Sequence, residues 1–233
     1  MGVLTVQSFK RYEEKYLVTK KQADALESRI QDYVEIDRFG AYWVQSLYYD
    51  TRNWDVVQRS IEKPVYKEKL RLRCYGVPDQ EDIVFVEIKK KYRGLGYKRR
   101  IGIKSHESAC LGEALAANTT QIGRELNFYW LSHELNKRMY VGYRRTAYSG
   151  IENVNLRVTF DRDIHYRTDR LDFASPGEGT RILCESIDVV EIKSFDSIPL
   201  WLSRILCEEK IWSSSFSKYG RSFIDYKGLR NHA

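Results

Sequence analysis

Charged residues two positions apart recur along this chain and restrict its fold more than any other feature. The segment KLRLRCYG, residues 69–76, shows the pattern best, because Arg71 and Arg73 alternate with leucines. Successive side chains of a β-strand point to opposite faces, so such a strand has one apolar face and one face whose charges lie about 7 Å apart. The same spacing occurs at Glu13 and Lys15, Glu87 and Lys89, Lys98 and Arg100, and Glu191 and Lys193.

A solvated sheet face would explain any one of these pairs, but the set favours a different interpretation. The charges are mostly basic and their neighbours are strongly apolar, as in VFVEIK and VVEIK, and Arg145 and Arg157 add single charges on two further strands. This suits a closed barrel whose apolar side chains pack outward under helices and whose lumen is charged. Unpaired cations in a lumen would cost on the order of several kcal/mol per ion. A bound polyanion would offset much of that cost, and the pattern therefore predicts one.

The order of elements along the chain predicts strands with helices inserted between strand groups. Strand-like runs cover residues 8–18, 41–50, 65–76, 82–92, 96–105, 139–150, 155–167 and 181–195. Helical runs cover residues 19–34, with Thr19 as N-cap, then 51–62, 105–137 and 199–226, the last broken near 213–215. Strands separated by turns favour antiparallel pairing. We therefore predict a single domain over residues 1–233, with an α+β fold: a closed antiparallel β-barrel with helices packed outside.

Composition narrows the classes of partner and site. Lys and Arg outnumber Asp and Glu by 39 to 32, which suits an anionic partner. The four cysteines are far apart in sequence and the four histidines do not cluster near them, which argues against a zinc site or a disulfide framework. The apolar runs are too short for a membrane span and the start lacks the apolar core of a signal peptide. We expect reduced thiols and a cytoplasmic location.

Eight short motifs occur in a fixed order: RYEEKY, YYDT, KLRLRCYG, FVEIKKK, RTAY, LRVTFDRDI, VVEIK and SFSKYG. Together they resemble the VTC (vacuolar transporter chaperone) domain, the polyphosphate polymerase branch of the CYTH or triphosphate tunnel metalloenzyme superfamily. The resemblance runs from Phe9 to about Gly220. It implies a tunnel of antiparallel strands that binds ATP and inorganic polyphosphate with Mn²⁺ or Mg²⁺. Its polymerases transfer the γ-phosphoryl group of ATP onto a growing polyphosphate chain.

The resemblance also implies roles for individual residues. The catalytic, phosphate-binding positions would be Arg71, Arg73, Lys89, Arg145 and Arg157. The remaining substrate-binding lysines would be Lys15, Lys98, Lys193 and Lys218. The metal ligand would be Glu191, with Glu13 and Glu87 as further acidic positions. The sequence departs from the family at Ser215, where a second lysine can occur, and in a short loop after Lys89 that would let Arg99 or Arg100 replace Lys98.

The residue types leave three functions open. Arginine forks and lysine point charges bind phosphate oxygens, and carboxylates hold hard divalent ions. A polymerase needs no nucleophilic side chain, whereas a metal-dependent triphosphatase needs an activated water, with Glu13 or Glu87 as the base. A non-catalytic protein that binds polyphosphate or nucleic acid is the third possibility. Specific nucleic-acid binding is disfavoured, because it usually uses exposed aromatic platforms and the tyrosines here look like strand core. The oligomeric state stays open.

Overall fold

The computed structural model describes residues 12–93, 95–195 and 197–229, which form nine β-strands, six α-helices and one 3₁₀ helix. The strands are β1 (Tyr12–Thr19), β2 (Val34–Asp50), β3 (Tyr66–Tyr75), β4 (Ile83–Tyr92), β5 (Leu95–Lys104), β6 (Asn136–Gly150), β7 (Arg157–Arg167), β8 (Thr180–Arg181) and β9 (Ile187–Ser194). The helices are α1 (Lys20–Arg29), α2 (Asp55–Ile61), α3 (Leu111–Ala117), α4 (Gln121–Ser132), α5 (Leu200–Glu208) and α6 (Lys218–Tyr226), and the 3₁₀ helix covers Ser105–Cys110. The predicted α+β class is confirmed.

All strands belong to one antiparallel sheet with the order β1-β9-β7-β6-β2-β3-β4-β5, and β8 pairs with β7. The expected closed barrel is not confirmed, because over the described ranges no pairing joins the two end strands, β1 and β5. A segment before α6 occupies the free edge of β1 instead: Ser213 bridges Tyr16, and the Ser214 amide donates to the Lys15 carbonyl at 2.7 Å. The sheet is nevertheless strongly curled, since Glu13 Oε1 on β1 lies 3.4 Å from Lys89 Nζ on β4.

The convex side of the sheet is apolar and covered by helices. Helices α1 and α5 cover β1, β9 and β7, where Val18, Leu26 and Phe160 are completely buried. Helices α3 and α4 cover β2 to β5, and there Leu70 and Leu72, the leucines that alternate with the arginines, are completely buried. Outward packing of apolar strand faces is therefore confirmed for the surfaces under α1, α3, α4 and α5. Helix α6 departs from it, because Tyr219 and Phe223 pack with Tyr48 and Val189 on the concave side of the sheet.

Side-chain caps mark the starts of two helices, of which the sequence predicts the first, at Thr19. The Thr19 side chain accepts from the Gln22 amide at 3.2 Å while the Gln22 side chain accepts from the Thr19 amide at 3.0 Å, which is a capping box at the start of α1. The Ser217 side chain accepts from the Gly220 amide at the start of α6. Helix α6 packs against the sheet because the Tyr219 ring stacks on Tyr48, with centroids 4.2 Å apart.

Element boundaries differ from prediction at three places. β2 begins at Val34 rather than at residue 41, because Gly40, with φ +59°, accommodates an irregularity in the pairing with β6. The helical region predicted over residues 105–137 ends at Ser132, and residue 136 already starts β6. The predicted strand 181–195 divides into β8 and β9. Residues 8–11 of the first predicted strand lie outside the described residues.

The cysteines and the possibility of a membrane-spanning helix can also be described from the structure. All four cysteines are free thiols, and Cys74 alone among them is buried. No helix in the described ranges has the length and apolar character needed to cross a membrane.

Candidate functional site

The charges that alternate along the strands meet on the concave side of the sheet, which we name the charged face. Directly paired residues of antiparallel strands share a face. One row joins Arg71, Glu87 and Arg100 across β3, β4 and β5. Rows on the other half contain Lys15 with Glu191 and Arg145 with Asp161. Its charged strand residues include Glu13, Lys15, Lys69, Arg71, Arg73, Glu87, Lys89, Lys98, Arg100, Arg145, Arg157, Asp161, Glu191 and Lys193. Every strand residue assigned a role from the sequence lies on it.

Glu87 is the centre of an arginine cluster. Its Oε2 accepts from Arg71 Nε at 2.9 Å and Nη2 at 2.7 Å, and Arg73 Nη1 lies 3.9 Å away. Its Oε1 lies 3.8 Å from both Lys98 Nζ and Arg100 Nη1. Burial raises the pKa of Glu87, but the surrounding cations outweigh burial and hold this pKa well below its usual range. One buried carboxylate thus partly neutralises four cations. This charge compensation explains how Arg71 and Arg73 can be buried.

Asp161 is the centre of a second cluster, which the sequence reasoning missed. Arg145 donates to its two carboxylate oxygens at 2.6 and 2.8 Å, and Lys218 reaches in from α6 to 2.5 Å. Asp161 is completely buried. Burial raises its pKa, but the two cations outweigh this effect and lower it. The signal was present in the segment RVTFD, where Asp161 continues the alternation begun by Arg157.

A third cluster joins the two halves of the curled sheet. Lys193 Nζ lies 2.7 Å from Glu191 Oε1 and 3.8 Å from Glu13 Oε2. Glu13 also contacts Lys15 at 3.3 Å and Lys89 at 3.4 Å. Burial raises the pKa of Glu13, but Lys89 and the other lysines outweigh it and bring this pKa to about 2. The pKa of Glu191 is also held well below its usual range, against burial, by Lys193 and its neighbours.

The three carboxylates predicted as metal ligands do not form one site. Glu13 and Glu191 share Lys193, whereas Glu87 lies in the arginine cluster. Within the described ranges, no group of three or more His, Cys, Asp or Glu side chains is placed to hold a metal ion. Mg²⁺ commonly uses only one or two carboxylates together with substrate phosphates and water. Glu13 and Glu191 fit that requirement, and Glu87 is better suited to the role of buried counter-ion.

Two basic residues of the strands, Arg157 and Arg99, lie outside the three clusters. Arg157 is at the margin of the charged face, where its side chain is 45% exposed and pairs with Asp37 at 2.9 Å. Arg99 points away from the charged face and pairs with Glu125 of α4 at 2.8 Å. Because Lys98 and Arg100 both approach Glu87, these two residues are the cations that β5 contributes to the arginine cluster. Arg99 is not part of it.

Two further residues of the charged face escaped the sequence reasoning. Burial lowers the pKa of Lys69 to about 8, and its Nζ donates to the Ser217 hydroxyl at 3.2 Å. Burial opposes ionisation of Tyr48, but the charges of Arg71, Arg73 and Lys69 outweigh it and lower its pKa to about 8. Lys69 precedes Arg71 by two positions, so the alternation in KLRLR already contained it.

Comparison with known proteins agrees with this architecture. The family model of the VTC domain matches residues 10–224. No curated protein sequence matches the chain significantly. A solved structure from Vibrio parahaemolyticus, named as a candidate adenylate cyclase, is 13% identical, with a TM-score of 0.53 over 93% of this chain and 99% of that one. The PH1819 protein of Pyrococcus horikoshii OT3 is 12% identical, with a TM-score of 0.47 over 92% of this chain and 99% of that one. The first likeness shows a shared fold, and the second carries no argument.

Proposed function

Because the chain belongs to the VTC domain family, we propose that it is an ATP-dependent polyphosphate polymerase, which transfers the γ-phosphoryl group of ATP onto the end of an inorganic polyphosphate chain. Family membership supports a function related to polyphosphate or triphosphate. The charged face supports binding of a polyphosphate chain, because each of its carboxylates is surrounded by more cations than it can neutralise. A cytoplasmic location, where ATP is available, completes the proposal.

The excess of positive charge on the charged face matches a linear polyanion. Glu87 is shared by Arg71, Arg73, Lys98 and Arg100, and Asp161 is shared by Arg145 and Lys218. Burying cations without full compensation is costly, and phosphate oxygens would supply the missing negative charge. The two arginines of β3 offer forks that suit paired phosphate oxygens, whereas the lysines act as point charges.

Phosphoryl transfer requires positioning and charge neutralisation more than a reactive side chain. An oxygen of the terminal phosphate of the chain, already ionised, would form the new bond to the γ-phosphorus of ATP. The bond from that phosphorus to the β,γ-bridging oxygen breaks, and ADP leaves. Arg71, Arg73 and Arg145 would hold the two phosphates in line. A divalent ion held by Glu191 and Glu13 would neutralise charge on the transferred group.

The low carboxylate pKa values favour polymerisation over hydrolysis. A triphosphatase must activate water, and an effective general base has a pKa near the working pH. The pKa of Glu13 is about 2, since Lys89 and the other lysines outweigh the effect of its burial. Glu87, the other candidate base, also has a strongly lowered pKa and its Oε2 is occupied by Arg71. Neither carboxylate is well suited to take a proton from water.

The test is incubation with ATP and Mn²⁺ or Mg²⁺, followed by separation of the products on a gel. The proposal expects ADP together with a ladder of polyphosphate. ADP with stoichiometric orthophosphate and no polymer from the outset would establish a triphosphatase. Polyphosphate binding without ADP would establish a non-catalytic binding protein. Arg100→Ala should reduce polymer formation, and Arg99→Ala is its matched control, because Arg99 lies on the same strand but pairs with Glu125 on the other side of the sheet.

A further inference from the structure

Four aromatic rings form a continuous row at one end of the charged face. Phe39 contacts Tyr42, Tyr42 contacts Tyr75, and Tyr75 contacts Phe85, each edge to face, with centroids 6.0, 5.9 and 6.1 Å apart. We name this set the aromatic row. Phe39 is 61% exposed and Tyr75 is 45% exposed, while Tyr42 and Phe85 are partly buried. The rings therefore present apolar surface to solvent instead of filling a core, and the expectation that the tyrosines are strand core is wrong for Tyr75.

The position of the aromatic row follows from the same alternation that places the charges. Leu70, Leu72 and Cys74 of β3 point into the convex core and are buried. Tyr75 lies on the opposite side, in the alternating series that contains Arg71 and Arg73. The rings thus share a surface with the phosphate-binding candidates, although aromatic side chains at strand ends commonly pack into a core.

The aromatic row runs directly into the arginines. The Arg100 guanidinium lies over the Phe85 ring, 4.3 Å from its centroid. Phe85 is the direct strand partner of Arg73, and Tyr42 is the direct strand partner of Arg145. Exposed rings on one side and densely packed cations on the other fit a ligand that is aromatic at one end and polyanionic at the other.

We propose that the aromatic row is the base-stacking subsite for the nucleoside triphosphate donor, with the phosphates of that donor directed onto Arg73 and Arg71. The inference rests on the proposed function only in treating the triphosphate as a phosphoryl donor. Stacking tolerates different bases, because every base has a π-face. Other purine nucleoside triphosphates are therefore expected to bind within a few-fold of ATP.

The experiment measures binding of ATP and of inorganic tripolyphosphate to the full chain by calorimetry, with EDTA present so that neither ligand is consumed. Tyr75→Ala and Phe39→Ala should each weaken ATP binding by roughly tenfold, the scale for loss of one stacking ring. Tripolyphosphate, which has no base, should bind within twofold of wild type. Tyr75→Phe keeps the ring and should restore ATP affinity. Phe128→Ala is the control, because Phe128 is 73% exposed on α4, away from the charged face.

Failure of this inference can be separated from failure of the proposed function. Equal losses for ATP and tripolyphosphate, or no loss for either, would overturn the stacking subsite even if the protein makes polyphosphate. A selective loss of ATP affinity would support the subsite even if the ligand is hydrolysed or only bound. An oligothymidylate that displaces ATP and depends more strongly on the same two rings would overturn the assignment of a nucleoside triphosphate as the occupant.

Discussion

Replacing Asp161 by asparagine tests whether the carboxylates of the charged face exist to balance its cations in the absence of ligand. The substitution keeps the volume of the side chain and one acceptor oxygen but removes its charge. Arg145 and Lys218, both in direct contact with Asp161, would then face one another without a counter-ion. The wild-type protein should be more stable than the variant, and a polyanion should reduce the difference.

The structure indicates the size of the effect. Removing one partner of a buried ion pair costs about 3–5 kcal/mol, and the retained acceptor oxygen favours the lower figure, about 3 kcal/mol. For a chain of this length each kcal/mol changes Tm by about 2–4 °C, so Tm should fall by about 6–12 °C. Asp37→Asn removes the counter-ion of Arg157, whose side chain is 45% exposed. This matched change should cost less than about 1 kcal/mol.

The assay is thermal unfolding of wild type, Asp161→Asn and Asp37→Asn, each with and without inorganic polyphosphate. Polyphosphate should raise the Tm of Asp161→Asn by more than it raises the Tm of wild type, because phosphate oxygens replace the missing carboxylate charge. A cost for Asp161→Asn as small as that of Asp37→Asn would refute the counter-ion role. An equal rise in Tm for both proteins would show that polyphosphate does not approach Arg145 and Lys218.

Three further predictions concern the cations and the carboxylate that hold substrate and metal. Removing Arg71 or Arg73 should weaken polyphosphate binding by roughly 1.5–3 kcal/mol. Arg73→Lys should also weaken this binding, because the guanidinium fork is lost. Full activity of the double alanine variant would contradict the assignment of both arginines to the phosphate site. Glu191→Gln should abolish turnover while sparing much of the polyphosphate binding, and lower stability with retained turnover would contradict the metal role. Burial lowers the pKa of Lys69 and Lys98 to about 8. Both side chains are protonated below that pH and lose their charge above it, so polyphosphate affinity measured by calorimetry should fall between about pH 7 and pH 9. A flat pH profile would contradict their contact with phosphate.

The fold could be predicted where the signal lies within one element. Period-two alternation in single strands indicated which side of β3 and β4 is apolar, and Thr19 indicated the start of α1. Closure of the sheet could not be predicted in the same way, because it depends on which segment pairs with the free edge of β1. In the structure that edge meets Ser213, almost two hundred residues later in the chain. Strand-like sequence alone does not distinguish that partner from β5.

In the candidate site too, features within one strand could be predicted, whereas contacts between distant parts of the chain could not. Alternation placed the arginines and lysines on one face, but it could not assign Glu87 to Arg71 or Asp161 to Lys218, since those pairs depend on strand register and on the return of α6 to the sheet. The buried carboxylates were therefore interpreted as metal ligands or overlooked, although two of them lie among cations at hydrogen-bonding distance. A face built to hold a polyanion must also fold without one. Glu87 and Asp161 stabilise the empty face with fewer negative charges than it has positive ones, which preserves the excess charge that attracts phosphate.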